Sequence, residues 1–133
     1  MRVLVCGGRN YANKKCVYEE LDRLHAVQNI AFLMQGGATG ADALARSWAM
    51  SRQVPQMEYP AAWKDLSHPD ARVKTRADGS RYDANAGHRR NQVMLDEKPD
   101  RVVAFPGGFG TRDMCQLAAA AKIPIDHIID SSD

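Results

Sequence analysis

The sequence lacks the markers of several protein classes. Its three cysteines, Cys6, Cys16 and Cys115, form no CxxC pair, and this odd, scattered set predicts a reduced, cytoplasmic protein. The apolar run at 2–6 is too short for a signal peptide, and no later run approaches membrane-spanning length. No cluster of histidine, cysteine or carboxylate has metal-ligand spacing. We therefore expect no metal, no separate cofactor and no membrane partner.

An excess of charge of one sign is also missing. Eighteen basic and sixteen acidic residues leave a net charge of +2, and aromatic residues make up 7% of the chain. Both values argue against nucleic acid as a partner. Basic residues nevertheless crowd one stretch, at Arg72, Lys74, Arg76, Arg81, His88, Arg89 and Arg90. This stretch either lines an anionic pocket or is a solvated loop, and the sequence leaves both readings open.

The chain has 133 residues, of which 44% are hydrophobic. Short apolar runs alternate along it with segments whose apolar residues recur at the spacing of a helix. The patterns predict strands at 2–6, 31–35, 54–59, 101–105 and 125–129, and helices at 14–28, 41–52, 88–97 and 111–122. This alternation predicts an α/β, Rossmann-like three-layer sandwich with a mostly parallel sheet of about five strands, in a single domain over 1–133. Residues 61–87 interrupt this alternation of strands and helices, and we expect an irregular loop there that is a candidate lid.

Three of the predicted strands end in a pair of glycines, and a helix follows each pair. The pairs are Gly7-Gly8, Gly36-Gly37 and Gly107-Gly108. In a parallel sheet these turns share the carboxyl edge, where open α/β folds bind ligands. Glycine admits a ligand close to the backbone amides, and a helix start adds unpaired N–H groups and partial positive charge. Together the turns predict a phosphate site, although a tight turn would explain any one pair alone.

Side chains near the first two turns extend this candidate site. Arg9 follows the first turn, and Thr39, Gly40 and Asp42 continue the second. Thr39 is either a helix cap or a donor to phosphate, and Asp42 is either a cap or an acceptor for a ribose hydroxyl. The spacing is neither GxGxxG nor a Walker loop, which disfavours a standard dinucleotide or nucleoside triphosphatase site.

The third turn and the helix before it supply the remaining candidates. The loop contributes Pro106, Gly107, Gly108, Phe109, Gly110 and Thr111. Thr111 stands where the helix is predicted to begin, as an N-cap or a phosphate donor. Arg90 is suited to bidentate contact with phosphate, and Asn91 offers both donors and an acceptor.

Four segments carry a resemblance to a known family. They are residues 1–9, 36–42, 86–91 and 106–111. In this order they resemble the SLOG superfamily, and in particular its YspA/YpsA-related branch of small bacterial and phage proteins. The resemblance implies a Rossmann-like fold and a nucleotide-derived ligand, either a mononucleotide or an ADP-ribose-like molecule, held by a sensor or sequestering module.

The resemblance also implies two alternatives to a binding module. The superfamily's phosphoribohydrolases carry a Pro-Gly-Gly-x-Gly-Thr-x-x-Glu motif, which predicts an N-glycosidase acting on nucleoside 5′-monophosphates. Here Met114 stands at the glutamate position, and Asp113 lies about 100° away on the helix. Asp113 and Arg90 are the candidate catalytic residues, and whether the protein is an enzyme is left open. Single-stranded DNA binding, as in the superfamily's recombination mediator, is the weaker alternative. Related small proteins often pair, so a homodimer or higher homo-oligomer is also open.

Overall fold

The computed structural model describes residues 1–130, which form three α/β layers. The elements are β1 (Arg2–Cys6), α1 (Lys14–Val27), β2 (Phe32–Gln35), α2 (Ala41–Ser51), β3 (Gln56–Glu58), β4 (Val73–Thr75), β5 (Arg81–Asp83), α3 (Ala86–Asp96), β6 (Arg101–Ala104), α4 (Phe109–Ala120) and β7 (Ile125–His127). The predicted alternation of strands and helices is confirmed, with β4 and β5 as additions. None of the helices within 1–130 is long and apolar enough to cross a membrane.

A five-stranded parallel sheet in the order β3-β2-β1-β6-β7 forms the middle layer. This confirms the Rossmann-like fold class. The chain builds outward from β1 to β3 and then returns to place β6 on the other side of β1. The strand order therefore reverses between β1 and β6, and open α/β sheets bind ligands at such a switch point.

The core lies on both faces of the sheet because successive residues of a strand point to opposite sides. Val3 and Val5 of β1 pack with the cluster under α1 and α2, which contains Trp48. Leu4 joins the opposite cluster, which contains Met94 and Met114 from α3 and α4. Central strands buried on both faces read as continuous apolar runs, which is why the sequence revealed β1 and β6 clearly.

Residues 61–87 contain more regular structure than the sequence predicted. β4 and β5 pair antiparallel, and the turn between them holds Gly79 at a φ of +88°. The helix α3 begins at Ala86, inside the segment expected to be irregular. The prediction of an irregular loop was wrong for the hairpin because most of its side chains are exposed on both faces. Such strands show no apolar alternation for a sequence pattern to detect.

Candidate functional site

A cavity of about 750 Å³ opens beside the carboxyl ends of β1 and β6. Most of the predicted ligand contacts line it, namely Gly7, Gly8, Arg9, Gly36, Asp42, Arg90, Asn91, Pro106, Gly107, Gly108, Phe109, Gly110 and Thr111. The turns that follow three different strands thus converge on one space, as the positions of their glycine pairs predicted. Of the basic residues between 72 and 90, only Arg90 lines this cavity.

Three predicted residues of the second turn, Gly37, Thr39 and Gly40, do not line the cavity. The Thr39 hydroxyl donates to the Arg9 carbonyl at 2.8 Å, so it joins two loops. Gly40 has a φ of +73°, and a Cβ there would lie 2.2 Å from the Gly8 carbonyl oxygen. These residues hold the turns against one another.

Hydrogen bonds between the turns fix the shape of the cavity. The Gly8 amide donates to the Pro106 carbonyl at 2.8 Å, and the Gly8 carbonyl accepts from the Ala41 amide at 3.1 Å. A Cβ on Gly7 would lie 2.5 Å from the Ala41 Cβ, and one on Gly107 would lie 2.2 Å from the Thr111 hydroxyl oxygen. Glycine is therefore required at positions 7 and 107 by packing within the chain, before any ligand is considered.

The start of α4 differs from the other turns, because it has open space beside it and hydrogen-bond donors without acceptors. A Cβ on Gly108 or Gly110 would meet no atom within 4 Å. Gly108 caps the helix without a side-chain hydrogen bond, and the first three amides of α4, at 109–111, have no acceptor within residues 1–130. The Thr111 hydroxyl likewise has no hydrogen-bond partner in that range. This wall of the cavity offers four unused donors at the positive end of a helix.

Phe109 stands at the mouth of the cavity with 86% of its surface exposed. The Arg112 guanidinium lies 5.4 Å from the centre of its ring. An exposed aromatic ring costs solvation free energy, and it offers a flat apolar surface for a planar group.

Arg90 is half-buried at the junction of the second turn and α3. Its Nη1 donates to the carbonyls of Gly36 at 2.7 Å and Tyr59 at 3.2 Å, and its Nε donates to Asn91 Oδ1 at 3.0 Å. Its Nη2 has no partner among residues 1–130. Burial lowers the pKa of Arg90, while the nearby Asp42 opposes that shift. Arg90 stays charged at neutral pH because the ordinary pKa of arginine is so high. Most of its hydrogen bonds therefore brace the turn, and one nitrogen is left for a ligand.

Asp42 is a buried carboxylate in the wall of the cavity. Its Oδ2 accepts from the Ala38 amide at 3.2 Å. Burial raises the pKa of Asp42, and the hydrogen bond from Ala38 and the charge of Arg90 offset part of that rise.

Asp113 lies outside the cavity lining, beside α3. Its Oδ2 accepts from Asn91 Nδ2 at 3.1 Å, and its Oδ1 lies 2.8 Å from His88 Nδ1. Asn91 Nδ2 also donates to the Gly110 carbonyl at 3.2 Å. Met114, at the position of the expected glutamate, is buried and lines the cavity. The wall that would carry the family's carboxylate is apolar here.

Several lining residues were absent from the sequence-based candidate set, including Cys6, Ala38, Ala12, Asn13 and Met94. Asn13 could have been found as a helix cap, since its Oδ1 accepts from the Cys16 amide at 3.1 Å. Cys6 and Met94 carry no such signal, because their apolar surroundings read as ordinary core.

Comparison with known proteins places these observations among relatives. Residues 1–65 match the family model YAcAr, described as the YspA, cpYpsA-related SLOG family. The Gene 61 protein of Mycobacterium phage D29 is 32% identical over 132 residues, which cover 97% of each chain. Among solved structures, the molybdenum cofactor binding protein of the phototrophic bacterium Rippkaea orientalis has a TM-score of 0.68 at 22% identity, covering 98% of this chain and 77% of that one. The structural likeness confirms the fold.

Proposed function

Because this chain belongs to the YspA, cpYpsA-related SLOG family, we propose that it binds a phosphate-bearing nucleotide or nucleotide-derived ligand in the cavity. A mononucleotide and an ADP-ribose-like molecule are the two ligand types, and the role is that of a sensor or sequestering module. The observation that carries the proposal is the open start of α4, where three amides and the Thr111 hydroxyl have no partner within 1–130. A phosphate group would satisfy these donors and lie at the positive end of the helix.

The charges around the cavity support an anionic ligand. Arg90 and Arg9 both line it, whereas Asp42 is its one acidic lining residue among those the structure describes. The Arg9 side chain is exposed and has no ion pair within 1–130. A phosphate at the start of α4 would add negative charge to a site where cations exceed carboxylates, and removal from bulk water strengthens that attraction.

The rest of a nucleotide also has suitable contacts. Phe109 offers its exposed ring to a base at the mouth, and base–aromatic stacking contributes about 1–3 kcal/mol per base. Asp42 offers a carboxylate oxygen to a ribose hydroxyl deeper in the wall. The cavity of about 750 Å³ falls within the range of small-molecule sites.

The N-glycosidase remains the alternative function, and one contact favours it. His88 and Asp113 form a hydrogen-bonded pair at 2.8 Å, and Asn91 links Asp113 to the cavity wall. In this alternative, the Asp113–His88 pair would accept a proton from a water that attacks C1′ of the ribose, and that proton would pass to the base as the C1′–N bond breaks. The binding module is preferred because Met114 lines the cavity and Asp113 does not.

Calorimetry with a panel of ligands tests the proposal. We expect AMP, other nucleoside monophosphates and ADP-ribose to bind, ribose 5-phosphate to bind more weakly, and unphosphorylated nucleosides to bind least. Equal binding of nucleosides and their monophosphates would refute the phosphate site. Chromatography of the same incubations separates the two functions, because release of free base that Asp113→Asn abolishes would establish the glycosidase. Elemental analysis of the purified protein for molybdenum tests whether the ligand of the Rippkaea orientalis protein is shared.

A further inference from the structure

The segment 61–85 has no part in the cavity or the core. None of its residues lines the cavity, and none belongs to the buried hydrophobic residues of 1–130. Within it, β4 and β5 and the turn between them form a hairpin. We call this hairpin, together with Arg72 just before it, the basic hairpin (residues 72–83). The exposed surface of this segment is therefore available to a partner other than the ligand of the cavity.

Buried charge holds the base of the basic hairpin in place. The Asp83 side chain is fully buried, and its Oδ1 accepts from the amides of Arg72 at 2.9 Å and Asn85 at 2.8 Å. Arg89 of α3 donates to Asp83 Oδ2 at 3.0 Å and also pairs with Asp70. Removal from water opposes ionisation, but these amides and Arg89 keep the pKa of Asp83 below its ordinary value. The hairpin is therefore anchored to the same helix that carries Arg90.

The basic hairpin carries four exposed cations. Arg72, Lys74, Arg76 and Arg81 are all exposed, and none of them has a carboxylate within 4.0 Å among residues 1–130. The one acidic residue near the tip, Asp78, accepts hydrogen bonds from Ser80. Within 72–83 four cations therefore outnumber two carboxylates, and one of these carboxylates, Asp83, already pairs with Arg89.

Three of these cations form a row. Arg72 and Arg76 flank β4, and the backbone hydrogen bonds from the Ala84 amide to the Arg72 carbonyl and from the Arg76 amide to the Ser80 carbonyl continue the pairing past both ends of that strand. Residues two apart in extended backbone point to the same face, which places Arg72 and Arg76 on either side of Lys74. Lys74 pairs with Tyr82 across the hairpin, and Arg76 lies 4.1 Å from the centre of the Tyr82 ring. Successive cations of the row are separated by two residues, or about 6.8 Å of strand. Phosphates along a nucleic-acid strand form a comparable regular row of charge.

We propose that the basic hairpin binds the phosphate backbone of a nucleic acid. A protein partner fits less well, because such interfaces centre on buried aromatic or apolar side chains. Val73, at 40% exposure, is the only exposed large hydrophobic residue of the hairpin, and Tyr82 lies between Arg76 and Trp63. Contacts to the backbone need only cations, and they carry no sequence specificity.

Fluorescence anisotropy with short labelled nucleic acids tests this inference on the full chain. The test variant is Arg72→Gln/Lys74→Gln/Arg76→Gln/Arg81→Gln, and the control, Lys15→Gln/Arg46→Gln/Lys98→Gln/Lys122→Gln, removes the same charge from other exposed positions. Duplex DNA, single-stranded DNA and duplex RNA of equal length are compared between about 50 and 200 mM salt. Circular dichroism and AMP binding verify that both variants are folded.

We expect binding that weakens steeply with salt, because each neutralised phosphate of duplex DNA contributes about −0.9 to the slope of log K against log salt. The hairpin variant should lose binding and flatten that slope by about 2.7 to 3.6, for three or four lost contacts, while the control changes little. An equal loss in both variants would reduce the effect to net charge and overturn the proposal. Absence of binding at low salt, or binding only to anionic lipid vesicles, would overturn it as well. Excess AMP should not displace the nucleic acid, which separates this surface from the cavity.

Discussion

Two threonines in neighbouring turns allow the phosphate proposal to be tested without confusing binding and stability. Thr111 has a hydroxyl without a partner within 1–130 at the start of α4, whereas the Thr39 hydroxyl donates to the Arg9 carbonyl at 2.8 Å. Replacement by valine removes each hydroxyl and nearly preserves the shape of the side chain. If the start of α4 binds phosphate, Thr111→Val should lower the affinity for the ligand, whereas Thr39→Val should lower the free energy of unfolding.

The two substitutions are expected to change different quantities, the Kd for AMP and the free energy of unfolding. A hydrogen bond to a charged group contributes about 1.5–3 kcal/mol, so Thr111→Val should raise the Kd for AMP by about 10- to 150-fold. Its free energy of unfolding should change by less than about 0.5 kcal/mol, because no hydrogen bond within the chain is lost. Thr39→Val should lower the free energy of unfolding by about 0.5–1.5 kcal/mol and change the Kd by no more than about threefold.

Calorimetric titration with AMP and urea unfolding of the free proteins measure the two quantities. An unchanged Kd for Thr111→Val would remove the start of α4 from the phosphate site. A large loss of stability in Thr111→Val would show that its hydroxyl has a structural partner, and would equally refute the reasoning.

Three further predictions follow from the packing and from the shifted pKa values. Gly107→Ala forces a Cβ to within 2.2 Å of Thr111 Oγ1 and should cost at least about 1–3 kcal/mol of stability by urea unfolding, whereas Gly110→Ala, in open space, should cost none. Burial raises the pKa of Asp42, so the folded state binds its proton more tightly and stability is lost as pH rises above about 4 through the raised pKa; Asp42→Asn should gain stability relative to wild type over that window in unfolding titrations. Interaction between the Cys6 and Cys115 side chains raises the pKa of Cys6 and lowers that of Cys115, so iodoacetamide should label Cys115 before Cys6 at neutral pH, as followed by mass spectrometry. Equal labelling rates for the two would contradict the interaction.

The sequence predicted most of the parallel sheet because its strands are buried. β1 and β6 read as apolar runs that end in glycine, and both end beside the cavity. The basic hairpin escaped prediction because most of its side chains are exposed, and because its anchor, Asp83, is bonded to Arg89 in a later helix. A contact between side chains of two different elements produces no periodic pattern in the sequence.

The candidate site was predictable for backbone groups and less so for side chains. The glycine turns follow from chain order and parallel topology alone, so their convergence could be foreseen. The role of Thr39 depends on the Arg9 carbonyl, which belongs to a different loop. Helical geometry did foresee that Asp113 and Met114 would face different directions, and the structure places Met114 in the wall and Asp113 outside it.

The hydrogen bonds that Gly8 makes to both other turns separate the shape of the cavity from the side chains at its rim. The frame is closed by main-chain atoms, so it does not depend on the identity of the side chains at the rim. The Arg9 and Phe109 side chains are exposed at the edge of that frame. Their replacement would therefore change the surface offered to a ligand and leave the hydrogen bonds between the turns intact.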